Sequence, residues 1–121
     1  MKKKIYLAIP YSGIEEDSFK IANEVAAKLM NEGHIVYSPI SHNHQISVSH
    51  KLPGTWDYWK DNDTEFVKWA DELHLVVITN YRLDGEELCR RSKGVTAELE
   101  IAKELGKPIN RIYHAFTRRL K

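Results

Sequence analysis

Two short apolar runs constrain this chain more than anything else in it. The first, Ile5-Tyr6-Leu7-Ala8-Ile9, follows Lys4 and stops at Pro10; the second, Leu73-His74-Leu75-Val76-Val77-Ile78, is broken only by a histidine. Runs of this kind, too short for membrane helices and without in-out alternation, read as strands buried on both faces of a sheet. Between and after them the period changes. Phe19, Ala22, Val25, Ala26, Leu29 and Met30 recur at helical spacing behind an acidic start at Glu15, Glu16 and Asp17, and Gly33 ends that helix. His34 to Tyr37 is a short second strand. Trp59, Asp63, Phe66, Val67 and Ala70 share one face of a helix from about Trp56 to Glu72, and Ser92 opens a last helix to Leu105, followed by a strand around Pro108 to Ile112. The stretch from Ile40 to Thr55 keeps neither period and is expected to be a functional loop. A charged loop is expected from Thr79 to Arg91, and the basic tail from Tyr113 to Lys121 is expected to fray.

Strand and helix alternate throughout, which predicts an α/β three-layer, Rossmann- or flavodoxin-like fold. It calls for a parallel sheet of about four to five strands, right-handed crossovers and helices on both faces. With 121 residues the chain suits one domain, 1–121. Ligands in such folds sit at the carboxyl ends of strands, here Ile9 to Gly13, Ser38 to His44 and Thr79 to Gly94.

Composition narrows the function. Eighteen basic residues against seventeen acidic ones leave a net charge of +1, which offers no surface for sequence-independent nucleic-acid binding. No run approaches the roughly 20 apolar residues of a membrane span, and Met1-Lys2-Lys3-Lys4 leads into a strand rather than a signal peptide, so a cytoplasmic protein is expected. The one cysteine, Cys89, has no partner for a disulfide or a cysteine-rich zinc site. No Walker or dinucleotide glycine fingerprint is present, and no serine or cysteine nucleophile has an identifiable elbow or base.

What remains is a pair of acids. On a wheel of about 100° per residue, Glu98 lies in the middle of the apolar stripe of the last helix, with Leu105 and Gly94 within about 40°, while Thr96, Glu100 and Lys103 fall on the far side. Asp63 takes the apolar side of the middle helix. A carboxylate so placed must find a partner or shift its pKa. Each has a purely structural alternative: Glu98 as a first-turn glutamate satisfied by the helix dipole, Asp63 as a cap in Asp61-Asn62-Asp63-Thr64. Two inward acids facing one cleft are the equipment for cleaving glycosidic bonds, one as nucleophile and one as proton donor.

Ser92-Lys93-Gly94 supplies a hydroxyl, a cation and free backbone N–H groups at a helix start, a setting for phosphate or for an ordinary serine cap, and Ser12-Gly13 would form the other wall. His42-Asn43-His44 has too little ligand spacing for a metal, and none is expected; the two histidines are instead candidates for contact with a base. Trp59, with Trp56 and Tyr58, would provide a stacking wall or belong to the core.

These residues together resemble the nucleoside 2-deoxyribosyltransferase superfamily. The resemblance rests on Ile5-Tyr6-Leu7-Ala8, on Asp63 eight residues before Asp71, and on Ser92-Lys93-Gly94-Val95-Thr96-Ala97-Glu98, and it covers Lys4 to about Ile109. The serine six positions before the glutamate is similar to the 2′-deoxynucleoside 5′-phosphate N-hydrolase branch. The resemblance implies that Glu98 attacks the anomeric carbon and forms a glycosyl-enzyme intermediate. Asp63 would then assist or bind the departing base, Tyr6 would orient the nucleophile, and Ser92 with Gly94 would receive a 5′-phosphate. It also implies a homodimer or higher homo-oligomer. The expected activity is hydrolysis of a (deoxy)nucleoside 5′-monophosphate to free base and sugar phosphate, with base exchange between nucleosides and a non-catalytic nucleotide sensor as the alternatives. The partner is then a small nucleotide or nucleoside and no cofactor is required. One departure bears on the phosphate: the loop Ile9-Pro10-Tyr11-Ser12-Gly13 carries no basic residue where that branch has Gly-Ser-Ile-Arg.

Overall fold

A computed structural model describes residues 2–117. The elements follow in the order β1 (Lys4–Ala8), α1 (Glu15–Asn31), β2 (Ile35–Tyr37), α2 (Pro39–His50), α3 (Trp56–Trp69), β3 (Glu72–Thr79), α4 (Gly85–Arg91), α5 (Lys93–Glu104) and β4 (Ile109–Ala115). The four strands form one sheet in the order β2-β1-β3-β4, and every neighbouring pair is parallel. This is the α/β three-layer fold expected from the alternation.

The central apolar run divides by parity, as a strand must. Ile5, Leu7 and Ile9 pack with Val76 and Ile78 against Ile21, Ala22, Val25, Ala26 and Leu29 of α1. Tyr6 and Ala8 face the other side with Leu73, Leu75, Val77, Val67 of α3, and Val95 and Ala102 of α5. Chain order reverses across β1, whose neighbours are β2 on one side and β3 on the other, so a crevice opens at its carboxyl end.

Three of the expected elements need correction. The segment read as a loop from Ile40 to Thr55 contains α2, a 12-residue helix. Its start is marked by Ser38, whose hydroxyl accepts from Ser41 N, and by Pro39 in the first turn, a cap-and-proline signature. The helix has little amphipathic contrast, which is why its period is invisible in the sequence. Second, the charged loop after β3 condenses into α4, capped by Asp84, whose carboxylate accepts from Glu86 N at 3.1 Å. Third, β4 continues through Tyr113 to Ala115, paired with β3 from Leu73 to Thr79, so the first part of the supposed frayed tail is strand; residues 118–121 lie outside the described residues. Met30 and Leu105, which the helical period places with the apolar faces, are exposed because they sit at or beyond the last turns of their helices. Among the described residues no helix is long and apolar enough to cross a membrane.

Candidate active site

At the carboxyl end of β1 lies a cavity of about 240 Å³, walled by the loop after β1, by α2, and by the starts of α3 and α5. Two of the three strand ends predicted to carry ligands reach it directly, through Ile9, Tyr11 and Ser12 and through Pro39, Ile40, Asn43 and His44. The third arrives only at its far end, as Ser92, Lys93 and Gly94. Asp63 and Glu98 both line it.

Glu98 is 6% exposed, between Val95 and Ala102 on the inner face of α5, while Thr96, Glu100 and Lys103 face solvent. The hydroxyl of Tyr6, a fully buried residue of β1, donates a short hydrogen bond to Glu98 Oε2. Burial pushes the Glu98 carboxyl up to about 8; the Tyr6 hydrogen bond opposes this, and the charge of Asp63 adds to it. Burial also holds Tyr6 well above the usual phenol range, with the charges of Glu98 and Asp63 acting in the same direction. Tyr6 is therefore a permanent donor toward Glu98.

Asp63 sits on the inner face of α3, 5% exposed, and is held from two sides. Asn43 Nδ2 donates to Oδ1 at 3.0 Å and Oδ2 at 3.4 Å, and Asn62 Nδ2 donates to Oδ1 at 3.1 Å. His42 Nδ1 lies 2.8 Å from Asn43 Oδ1, and an amide oxygen only accepts, so His42 donates and thereby fixes the Asn43 amide with its NH₂ toward Asp63. Burial raises the Asp63 pKa, while the two asparagine donors pull it down. Asp63 is thus no helix cap: Thr55 occupies that position in α3.

The remaining candidates separate. Ser92, Gly94, His44, Ser12 and Trp59 line the cavity; His42 and Gly13 do not. His42 and His44 are two residues apart on a helix and so point to opposite sides, which the loop reading could not anticipate. His42 is exposed beside Tyr37, whereas His44 is buried between Tyr11 Oη, 2.5 Å from its Nδ1, and Glu16 Oε2, 2.9 Å from its Nε2. Gly13 adopts φ +87° and donates its N–H to Glu15, an adaptation of the turn into α1. The Ser92 hydroxyl caps α5 by accepting from Val95 N, and Lys93 Nζ pairs with Asp57 Oδ2 at 3.1 Å across the cavity mouth. Trp59 donates its indole N–H to Pro53 O at 2.8 Å, fixing the ring at the rim; Tyr58 is exposed and lies outside the lining.

Sequence reasoning missed Asn43 and Asp57 as site residues and passed over Tyr11. Asn43 becomes visible only with α2, and the Ser38-Pro39 start is the available signal. Nothing local in the sequence announces that Asn43 meets Asp63 or that Tyr11 meets His44.

Residues 3–114 match a family described as a domain of unknown function (DUF1937). No curated protein matches the chain. Among solved structures, the chain is similar to a 2-deoxyribosyltransferase from the psychrotolerant bacterium Bacillus psychrosaccharolyticus, with 26% identity, a TM-score of 0.58, and coverage of 98% of this chain and 76% of that one. It is also similar to a 2-desoxiribosyltransferase from Leishmania mexicana, with 17% identity and a TM-score of 0.59, over 92% of this chain. It spans 64% of the length of that second protein, and there the likeness is one of fold. The first of these likenesses supports the resemblance to the nucleoside 2-deoxyribosyltransferase superfamily and does not extend to its 5′-phosphate N-hydrolase branch.

Proposed function

The chain belongs to the family described as a domain of unknown function (DUF1937), and we propose that it is an enzyme that cleaves the N-glycosidic bond of a nucleoside-type substrate, with Glu98 as nucleophile. One observation carries the reading: a buried glutamate faces a cavity at the carboxyl end of the central strand, with a phenol donating to one of its oxygens and a second carboxyl lining the same cavity. A structural glutamate would be satisfied away from the cavity; this one keeps its second oxygen for chemistry.

In the first step a Glu98 oxygen bonds to the anomeric carbon, the carbon–nitrogen bond breaks, and the departing base takes the bonding pair. The raised pKa of Asp63 suits it to give that base a proton. The transition state is oxocarbenium-like, so a carboxylate held close to it is stabilising. The Tyr6 hydrogen bond favours the ionised nucleophile against the cost of burial and fixes its rotamer. The resulting ester is resolved by water, giving hydrolysis, or by a second base, giving exchange.

Hydrolysis of a 5′-monophosphate remains part of the proposal, with Ser92 and Gly94 at the start of α5 as its phosphate contacts. A specific observation favours the second reading, transfer from an uncharged nucleoside. Lys93 is already paired with Asp57, so the mouth presents an anion with little free positive charge. The deoxyribosyl transfer for which the similar solved protein from Bacillus psychrosaccharolyticus is named points the same way. We also propose a single 1–121 domain, a homo-oligomer and a cytoplasmic setting.

The test is chromatographic detection of free base from ribo- and deoxyribonucleosides and their 5′-monophosphates, with and without an acceptor base, for the wild type and Glu98→Ala. Release that disappears in the variant supports the assignment, and a new nucleoside in the presence of acceptor identifies transfer. Binding without release from any substrate would replace the enzyme with a nucleotide sensor.

A further inference from the structure

Three side chains from different elements form a continuous hydrogen-bonded chain from the cavity to solvent. Tyr11, in the loop after β1, lines the cavity and is half-buried; its Oη is 2.5 Å from His44 Nδ1, and His44 Nε2 is 2.9 Å from Glu16 Oε2. His44 is 6% exposed and held in place by Phe19, whose ring centroid lies 4.5 Å away, and by Tyr11 at 5.6 Å, edge-on. Glu16, in the first turn of α1, is 71% exposed.

The donors and acceptors in this chain are determined by chemistry. An ionised glutamate only accepts, so Nε2 of His44 carries the hydrogen that reaches Glu16. In the neutral ring Nδ1 is then the acceptor, and the Tyr11 hydroxyl must donate to it. With its proton committed, Tyr11 Oη has only lone pairs left to offer a group in the cavity that Tyr11 lines. Burial and the charges of Glu15 and Glu16 raise the Tyr11 pKa, so it rests as a phenol and not as a nucleophile. A hydroxyl, a histidine and a carboxylate in hydrogen-bonded sequence form the general arrangement by which proteins move a proton off a reacting group.

We propose that Tyr11, His44 and Glu16 form a proton relay that accepts the proton of the group resolving the Glu98 glycosyl ester. The inference rests on the proposed attack by Glu98. With water as that group, its oxygen bonds to the anomeric carbon while the carbon–oxygen bond to Glu98 breaks, and the electron pair returns to the Glu98 carboxylate. The water proton passes to Tyr11 Oη as Tyr11 gives its own to His44 Nδ1. The imidazolium so formed is stabilised by Glu16, and once the sugar has left, the surplus proton passes from Nδ1 back through Tyr11 Oη to water in the cavity, which restores the starting tautomer. Tyr11 is the catalytic member; His44 and Glu16 act through it.

The experiment follows base release on the millisecond scale from whichever nucleoside the wild type cleaves, together with the intact mass of the quenched protein. Tyr11→Phe retains the ring and removes the relay. The expected result is a burst approaching one base per chain, a steady rate lowered at least tenfold, and a protein mass increased by the sugar. Azide attacks without losing a proton, so it should restore turnover in Tyr11→Phe as glycosyl azide. Glu16→Gln, on the surface and compatible with folding, should show the same burst with a smaller fall in steady rate. A Tyr11→Phe enzyme with the wild-type steady rate, or one lacking the burst and unresponsive to azide, overturns the relay, as does an adduct mapped to Tyr11. Absence of base release from the wild type would overturn the Glu98 reading itself. Loss of release in Glu98→Ala alone, with Tyr11→Phe unaffected, would leave that reading standing and remove only the relay.

Discussion

Tyr6 and Glu98, 92 residues apart in the chain, share a hydrogen bond in which a phenol of the central strand donates to the carboxylate of the last helix. The pair joins the two halves of the fold at the point where the proposed chemistry takes place. Tyr6 lowers the pKa of a carboxyl that burial nonetheless holds at about 8 with that hydrogen bond in place. Tyr6→Phe should therefore move the acid limb of the kcat/KM profile to higher pH and reduce activity at neutral pH by about 10- to 100-fold, the worth of one hydrogen bond to a charged group. A pH–rate profile of the variant checks this; an unmoved limb would separate Tyr6 from the ionisation of Glu98.

Glu98→Gln should lose base release and yet stabilise the protein at alkaline pH. In the fold the carboxyl stays protonated up to about 8, against 4.5 as its ordinary value, so the native state binds more protons than the unfolded state between those limits. Stability of the wild type consequently falls as pH rises through that window, by on the order of 5 kcal/mol in all. The amide carries no such penalty. Thermal unfolding at pH 5 and pH 9 should show the variant ahead only at pH 9.

Asn43→Ala removes donors to both oxygens of Asp63. With Asn62 as its remaining donor, Asp63 should be less well placed toward the departing base, lowering kcat at least tenfold. The accompanying loss of stability should be about 1–3 kcal/mol in urea unfolding. Wild-type kcat in the variant would show that Asp63 needs no such support.

Asp57→Asn tests substrate charge. It releases Lys93 Nζ from its 3.1 Å ion pair at the cavity mouth. The variant should gain several-fold in kcat/KM for 5′-monophosphates relative to nucleosides, and the gain should shrink with added salt. Competition assays at low and high ionic strength measure both effects. An unchanged preference would mean that the mouth does not contact the 5′ position.

Gly85→Ala probes the framework away from the cavity. A Cβ at that position would stand 2.0 Å from the carbonyl oxygen of Ile78, which is strand backbone and cannot turn aside. The substitution should cost about 3 kcal/mol or more by forcing α4 off β3. Denaturant unfolding at neutral pH gives the value directly.

The inward position of Glu98 was readable because α5 has a clear apolar stripe and an unambiguous Ser92 cap, so a wheel drawn from sequence and the helix in the fold agree. Asp63 was readable for the same reason on α3, although its role as a cap could be dismissed only with Thr55 in that place. The histidines were not. A loop reading allowed His42 and His44 to act together, whereas α2 sends one to solvent and buries the other. Ser92 and Lys93 show a further limit, since both are already engaged by Val95 N and Asp57, and sequence cannot display the partner that occupies a group.

By itself the sequence determined which residues are strand and which are helix over most of the chain, the parallel sheet, and the burial of one acid on each of two helices. Those properties follow from short-range periodicity, because a side chain's direction relative to its own element depends only on its position in the repeat. Tertiary structure alone decided which polar groups face one another: Tyr6 with Glu98, Asn43 with Asp63, Tyr11 with His44 and Glu16. A hydrogen bond requires two atoms within about 3 Å, and that distance is set by how separate elements pack, which no local pattern encodes.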